Sequence, residues 1–408
     1  MDVERLFSDR AKRMKASEIR ELLKLTQRSD IISFAGGLPN PLTFPIQDIE
    51  KACVRVLKEE PELALQYGTT EGYAPLRHEL AAMMKKDGSH YSADHFLITN
   101  GSQQGLDLLG KVFLNQGDKV LVSNPTYLGA LSAFNTYNCE YVAVSSDREG
   151  MRVDALEETL VRLKKRGERA KFLYTVPTFM NPTGTVMPAA RRRKVLDLAH
   201  EHDILVVEDD PYGKLRFDGD AVPLLASMDK EDRVVYLGTF SKILVPGFRL
   251  AWAAGPEAVV RKMVIAKQAV DLCTNAYTQF VTADLMKDGL IDRHLPKIIS
   301  LYRKKRDIML KTMEATFPKE NTSWTRSQGG LFSWAELPMG VDTEAMLNDA
   351  IAAKVAYVPG RPFHIDGTGK NTMRLNFSHP TDEKVKEGVE RLAAVVNNAV
   401  RKLPKQLA

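Results

Sequence analysis

Cysteine is scarce in this chain: three residues, Cys53, Cys139 and Cys273, with no C-x-x-C spacing. An odd, scattered set excludes a disulfide framework and a zinc ribbon, and predicts a protein of a reducing compartment. Long apolar runs are missing too. No stretch approaches the roughly 18 residues of a membrane span. The opening "MDVERLFSDRAKRMKAS" lacks the apolar core of a signal peptide. Ser-, Gln- and Pro-rich tracts, Gly/Ser linkers and internal repeats are absent, which leaves little room for disorder. His, Asp and Glu form no metal-binding cluster around the strand ends, so no metal is expected. These absences predict a folded cytoplasmic chain with no membrane partner.

What is present is a large core and an even charge. Of 408 residues, 44% are hydrophobic, enough for one big domain with a smaller one attached. The net charge of +5 is spread along the chain, apart from "RRRK" at 191–194 and "RKKR" at 303–306. Both runs lie in sequence of helical periodicity and read as solvated helix faces, with no nucleic-acid partner expected.

Seven β-rich runs mark the middle of the chain: "HFLIT", "KVLVS", "EYVAVS", "KFLYTV", "ILVVE", "RVVYLG" and "RLAWAA". Between several of them lie amphipathic stretches such as "DALEETLVRLKKRG" and "PAARRRKVLDLAHEHD". This alternation predicts an α/β fold: a mainly parallel sheet covered by helices on both faces. The large domain is expected over 60–290. A small α/β domain is expected from 1–59 and 291–408, including the long helical stretch "DRHLPKIISLYRKKRDIMLKTMEATF".

Ligands of parallel α/β sheets gather at the carboxyl ends of strands, so the residues just after each run carry the search. After "HFLIT", Gly101 and Ser102 open a helix whose first amides, at Ser102 and Gln103, suit an anion as well as an ordinary N-cap. After "KVLVS", Tyr127 offers an aromatic face to a planar ligand, or a core tyrosine. After "KFLYTV", Asn181 stands in "NPTG", which is also plain turn chemistry. After "ILVVE" come Asp209, Asp210 and Tyr212; a carboxylate at that depth needs a cation or proton donor. After "RVVYLG" come Thr239, Ser241, Lys242 and Arg249. The hydroxyls and Arg249 suit a phosphate. Lys242 is either a further phosphate contact or an amine that forms a Schiff base with an aldehyde. Together these groups match pyridoxal 5′-phosphate, a planar pyridine bearing phosphate, hydroxyl and aldehyde.

With that inventory the chain resembles the fold-type I pyridoxal-phosphate-dependent aminotransferases over essentially its whole length, and within them the branch of 2-aminoadipate and kynurenine aminotransferases. The motifs that carry the resemblance are "ASEIRELLKLTQ", "ISFAGGLPNP", "LQYGTTEGYAPLR", "TNGSQQGLDL", "NPTYLGA", "PTFMNPTG", "VVEDDPYG", "GTFSKILVPGFR" and "MRLNFS". The resemblance implies a seven-stranded sheet and a role for each residue. Lys242 would carry the cofactor covalently and act as the base. Asp209 would face the pyridine nitrogen, Asn181 and Tyr212 the ring oxygen, and Tyr127 the ring. Ser102, Gln103, Thr239, Ser241 and Arg249 would hold the phosphate. Tyr67 would reach the phosphate of a neighbouring subunit, making a homodimer with shared sites. Arg374 and Asn181 would take the substrate α-carboxylate, Gly36 and Gly37 would line its pocket, and Arg20, with Ser17 one turn earlier, would meet a distal carboxylate. One departure is mild: position 239 is Thr where serine is common, and the hydroxyl survives.

The expected reaction moves an amino group from an L-amino acid to a 2-oxo acid such as 2-oxoglutarate, with ping-pong kinetics. Candidate donors are 2-aminoadipate, glutamate, and aromatic or aliphatic amino acids. A C–S lyase or a decarboxylase on the same scaffold is the alternative, since the bond broken depends on how the substrate is held. A remoter one is the ligand-sensing domain of a transcription regulator.

Overall fold

A computed structural model of the chain describes residues 2–14 and 30–404. Numbered in chain order, β1 (Ile32–Ser33) precedes the strands of the main sheet. These are β2 (Phe96–Thr99), β3 (Lys119–Asn124), β4 (Glu140–Asp147), β5 (Gly150–Met151), β6 (Ala170–Thr175), β7 (Leu205–Asp209), β8 (Val234–Thr239) and β9 (Ala251–Ala254). They pair in the order β2-β9-β8-β7-β6-β3-β4-β5. The β4-β3-β6-β7-β8 block is parallel, while β9 runs antiparallel to both β8 and β2. All seven β-runs are therefore strands of one sheet. The eighth member, β5, pairs antiparallel with β4 over two residues, too few to show any periodicity in sequence.

Alternation along the strands sorts the core into two layers. Val120, Val122, Phe172, Tyr174, Val207, Val235 and Leu237 point to one side, against Leu106 and Leu109 of helix Ser102–Phe113 and Val260 and Met263 of helix Glu257–Asp271. Leu121, Leu173, Val206, Val234 and Tyr236 point to the other. There Leu156 and Leu160 of helix Val153–Lys165 and Val195 and Leu198 of helix Ala189–Glu201 cover them.

The later part of the chain begins with helix Leu290–Thr316 and adds β10 (Ser323–Trp324), β11 (Phe332–Glu336), β12 (Val355–Ala356), β13 (Val358–Pro359) and β14 (Thr372–Asn376). A four-stranded antiparallel sheet runs β10-β11-β14-β13. β1 pairs with β12, tying residues 32–33 to this part. Helix Ile46–Glu59 instead lies against helix Ala276–Lys287, where Arg55 bonds to Asp284.

The two basic runs are not simple solvated faces. Arg192 is fully buried, donating to the carbonyls of Met187, Pro177 and Pro223 and to Thr178 Oγ1, with Glu208 at 3.7 Å. In the second run Arg303 and Lys304 are exposed, but Lys305 and Arg306 are buried, paired with Asp382 and Asp218. A helix face that meets protein carbonyls and carboxylates accepts cations that periodicity alone assigns to water.

Candidate active site

Because β2, β3, β6, β7 and β8 run in one direction, their carboxyl ends share one edge, and β9 starts there. The residues singled out in the sequence follow these ends. On the β2-β9-β8 side, Gly101 has φ +78° and hands the chain into helix Ser102–Phe113. A Cβ on Gly101 would lie 2.3 Å from Arg249 Nη2, so the absent side chain is what admits the guanidinium. Arg249 itself sits at φ +51°, closing the 3₁₀ turn Pro246–Phe248. Thr239 and Ser241 are buried, their hydroxyls 3.0 Å apart, and Arg249 Nη1 donates to Ser241 Oγ at 3.5 Å. Gln103 is exposed and spends its amide on Gly129 O at 2.8 Å. Tyr127 lies over that same glycine: a Cβ on Gly129 would meet the ring at 2.5 Å.

Lys242 is half-buried, with Nζ donating to Gly37 O at 2.8 Å. Burial, then the charges of Arg249 and Arg374, lower its pKa to about 8. Asp209 ends β7 on the Val207 face, whereas Glu208 and Asp210 alternate to the opposite one. Its Oδ2 accepts from Tyr174 Oη at 2.7 Å, and its Oδ1 is buried without a hydrogen-bond partner among the described residues. Burial raises its pKa to about 7, against the lowering effect of Tyr174. Asp210 is satisfied by the Gly213 N–H and Tyr236 Oη, and Glu208 by the N–H groups of Leu225 and Ala226.

Arg374, on β14, reaches the same edge from the small sheet. Its Nη1 donates to Asn181 Oδ1 and its Nη2 to Ala35 O, both at 2.7 Å, while Nε is buried and has no partner among the described residues. The rings of Phe332 and Phe363 lie 4.3 and 5.3 Å from its guanidinium carbon. Burial lowers its pKa to about 10. Asn181 Nδ2 faces Tyr212 Oη at 3.5 Å. Lys242, Arg249 and Arg374 thus converge, and none of the three is ion-paired among the described residues. Like charges so placed call for an anion.

The family model for class I and II aminotransferases matches residues 29–392. The chain belongs to that family. It is a pyridoxal-phosphate-dependent aminotransferase. An aromatic-amino-acid aminotransferase of Thermococcus litoralis is 49% identical over 98% of this chain and 96% of its own. A Pyrococcus horikoshii kynurenine aminotransferase solved with PMP, kynurenine and its product has a TM-score of 0.94 and 50% identity, covering 97% of this chain and 98% of its own. The α-aminoadipate aminotransferase of Thermus thermophilus, solved with a phosphopyridoxyl-leucine, gives 0.91 and 40%, over 99% of this chain and 100% of its own.

The aminotransferase's site suits pyridoxal phosphate on its own terms. The free buried Oδ1 of Asp209 matches a ring N–H, and the unpaired cations match a phosphate and a carboxylate. Eleven of the anticipated residues share the edge or its lining: Ser102, Gln103, Tyr127, Asn181, Asp209, Tyr212, Thr239, Ser241, Lys242, Arg249 and Arg374. Gly37 joins them through Lys242, with Gly36 adjacent. Tyr67 does not join them: it is 79% exposed. Arg20 and Ser17 lie outside the described residues. Sequence reasoning passed over Tyr174 and the Phe332–Phe363 pair. A buried tyrosine needs a partner for its hydroxyl, and the carboxylate that opens the next loop was the available one.

Proposed function

We propose that this aminotransferase moves the amino group of an L-amino acid to a 2-oxo acid such as 2-oxoglutarate by a ping-pong cycle, with Lys242 as the catalytic base. The convergence of Lys242, Arg249 and Arg374 on one edge, with no carboxylate paired to any of them among the described residues, carries this reading. When bound, pyridoxal phosphate supplies an aldehyde for amines and a ring that accepts electrons from the substrate's α-carbon. Thr239, Ser241, Arg249 and the first amides of helix Ser102–Phe113 hold its phosphate; Gln103 steadies the Tyr127 loop. Tyr127 would meet the ring, and Asn181 and Tyr212 its oxygen. Asp209, placed in a dry setting, accepts the ring N–H and so keeps that nitrogen protonated. Lys242 Nζ, whose pKa is lowered by burial and by Arg249 and Arg374, would take the proton from the substrate's α-carbon and deliver it to the cofactor's former aldehyde carbon. Arg374 with Asn181 grips the α-carboxylate as a fork, beside Gly36 and Gly37.

The strand order supports this assignment. The cation-rich cradle lies at the β2-β9-β8 end, Asp209 on β7 next, Asn181 after β6 and Tyr127 after β3. Strands stand roughly 4.8 Å apart, so the ends of the neighbouring β8, β7 and β6 span about 10 Å, the scale of one flat cofactor.

The relatives' names favour aromatic amino acids, kynurenine and 2-aminoadipate as donors, with glutamate and aliphatic amino acids as further candidates; Arg20 and Ser17, outside the described residues, are assigned to a distal carboxylate by the resemblance. The active unit is a cytoplasmic homodimer in which Tyr67 reaches the neighbouring site. Leu63 and Leu65, close to Tyr67 in sequence, are 63% and 69% exposed, apolar side chains suited to a second copy. No helix among the described residues is long and apolar enough to cross a membrane. We also divide the chain into a large domain over 60–290 and a small one from 1–59 and 291–408. A screen of amino donors against 2-oxoglutarate tests the function. Parallel double-reciprocal lines, with glutamate formed, are expected; release of ammonia and pyruvate from cysteine-type donors in their place would identify a lyase. Replacing Arg20 with Ala is expected to weaken acidic donors more than aromatic ones.

A further inference from the structure

Behind the phosphate cradle lies an ion pair that no step above uses. Lys267, on helix Glu257–Asp271, is fully buried, and its Nζ donates to Asp271 Oδ1 at 2.7 Å. The other oxygen, Asp271 Oδ2, accepts from Asn100 Nδ2 and from Gln104 Nε2, both at 2.6 Å. Gln104 Oε1 accepts in turn from the Asn100 N–H at 2.8 Å. Asn100 and Gln104 flank the turn of Gly101, Ser102 and Gln103, so one carboxylate grips both ends of the turn whose amides face the cradle.

The charges are matched to that task. A bare carboxylate this near an anion site would repel the anion, and a bare buried ammonium would be costly. Paired, each cancels the other, and Asp271 keeps its second oxygen for the turn. The chain is also held here against strain. Leu272, next after Asp271, has φ +61° and ψ −59°, and the Cys273 N–H donates to Asp271 O at 2.6 Å. That is the rare form of γ-turn, unfavourable for a branched side chain. Thr274 Oγ1 then donates to Ile98 O at 3.2 Å, fastening the far side of the turn to β2. Strain of this kind persists only where surrounding contacts impose it.

We propose that Lys267 and Asp271 are positioning residues for the cofactor's phosphate: they set the Asn100–Gln104 turn so that the amides of helix Ser102–Phe113 point at it. The proposal rests on the reading that this turn holds the phosphate. Neither residue touches substrate, cofactor or reacting atoms.

The test is equilibrium binding of pyridoxal phosphate and of pyridoxal, which lacks the phosphate, to apo forms of the wild type, Asp271→Ala, Asp271→Asn and Lys267→Met. A lost buried hydrogen-bond partner should raise Kd for pyridoxal phosphate about tenfold to a hundredfold in Asp271→Ala and Lys267→Met. Kd for pyridoxal should move by less than about twofold. Asp271→Asn keeps one accepting oxygen and should fall between; it carries the test if the alanine variant does not fold. An unchanged affinity for pyridoxal phosphate, or equal weakening of both compounds, would overturn the proposal. A wild type that binds both compounds equally would instead remove the phosphate reading beneath it.

Discussion

Lys242 Nζ and Asp209 Oδ1 carry opposite electrostatic debts, and each predicts its own pH behaviour. With a pKa of about 8, roughly half of the Lys242 amines are neutral at pH 8, against under about one in a hundred for an ordinary lysine. Reaction of the apoprotein's Lys242 with an aldehyde reagent should therefore rise with pH and level off above about 8. A rise continuing to pH 10 would contradict the assigned environment. Asp209 is the reverse case: its folded pKa, about 7, exceeds the unfolded value of 3.8. The folded apoprotein binds more protons between those values, so its stability is full below the unfolded value and falls as pH rises through about 7. Apo Asp209→Asn should thus melt above apo wild type at pH 8, with the difference vanishing near pH 4; melting curves at both pH values check this. With cofactor bound, Asp209→Ala should cost about a hundredfold to a thousandfold in kcat/KM. Asp210→Ala should chiefly lower the melting temperature, because Asp210 serves Gly213 and Tyr236 rather than the site. The two acids are adjacent letters in the sequence, and the alternation of a strand separates their roles. Local sequence does not say which of the two meets the ligand; the resemblance alone singled out Asp209.

At the scale of elements, strand ends were readable and side-chain burial within helices was not. A β-branched run followed by Gly, Pro or Asp marks where a strand stops, so the sequence alone gathers the residues after "HFLIT", "ILVVE" and "RVVYLG" on one edge. Arg192 shows the opposite limit. It sits in a helix of basic sequence, and nothing in that helix says that Pro177, Met187 and Pro223 will turn their carbonyls toward it. Arg192→Met should destabilise the fold by about 3–5 kcal/mol, since Glu208 is left buried without its cation. Urea unfolding of the apoprotein measures this, and a loss under about 1 kcal/mol would contradict the role given to the pair. Gly101→Ala should leave the fold standing yet weaken pyridoxal phosphate, because the new methyl takes the place of Arg249 Nη2. Two-residue strands such as β5 carry no periodicity and are set by tertiary pairing alone.

At the scale of the molecule, the sheet brings a cradle, an acid and an amine to one edge, and β14 swings Arg374 in from the small sheet to meet them. This convergence is long-range, so only the resemblance, and not local sequence, pointed to Arg374. The exposed Tyr67 completes the site only if a second copy supplies it. Mixing Lys242→Ala with Tyr67→Ala subunits under exchange should then restore activity to about a quarter of wild-type sites, because half the dimers hold one intact site of two. No gain above the separate variants would contradict site sharing. The central claim is chemical: one amine, Lys242, is where this chain takes hold of pyridoxal phosphate. Borohydride reduction of the cofactor-loaded protein, followed by peptide mapping, tests it most directly. The account predicts the phosphopyridoxyl mass on the peptide carrying Lys242 and its absence in Lys242→Ala; label on another lysine, or none at all, would contradict it.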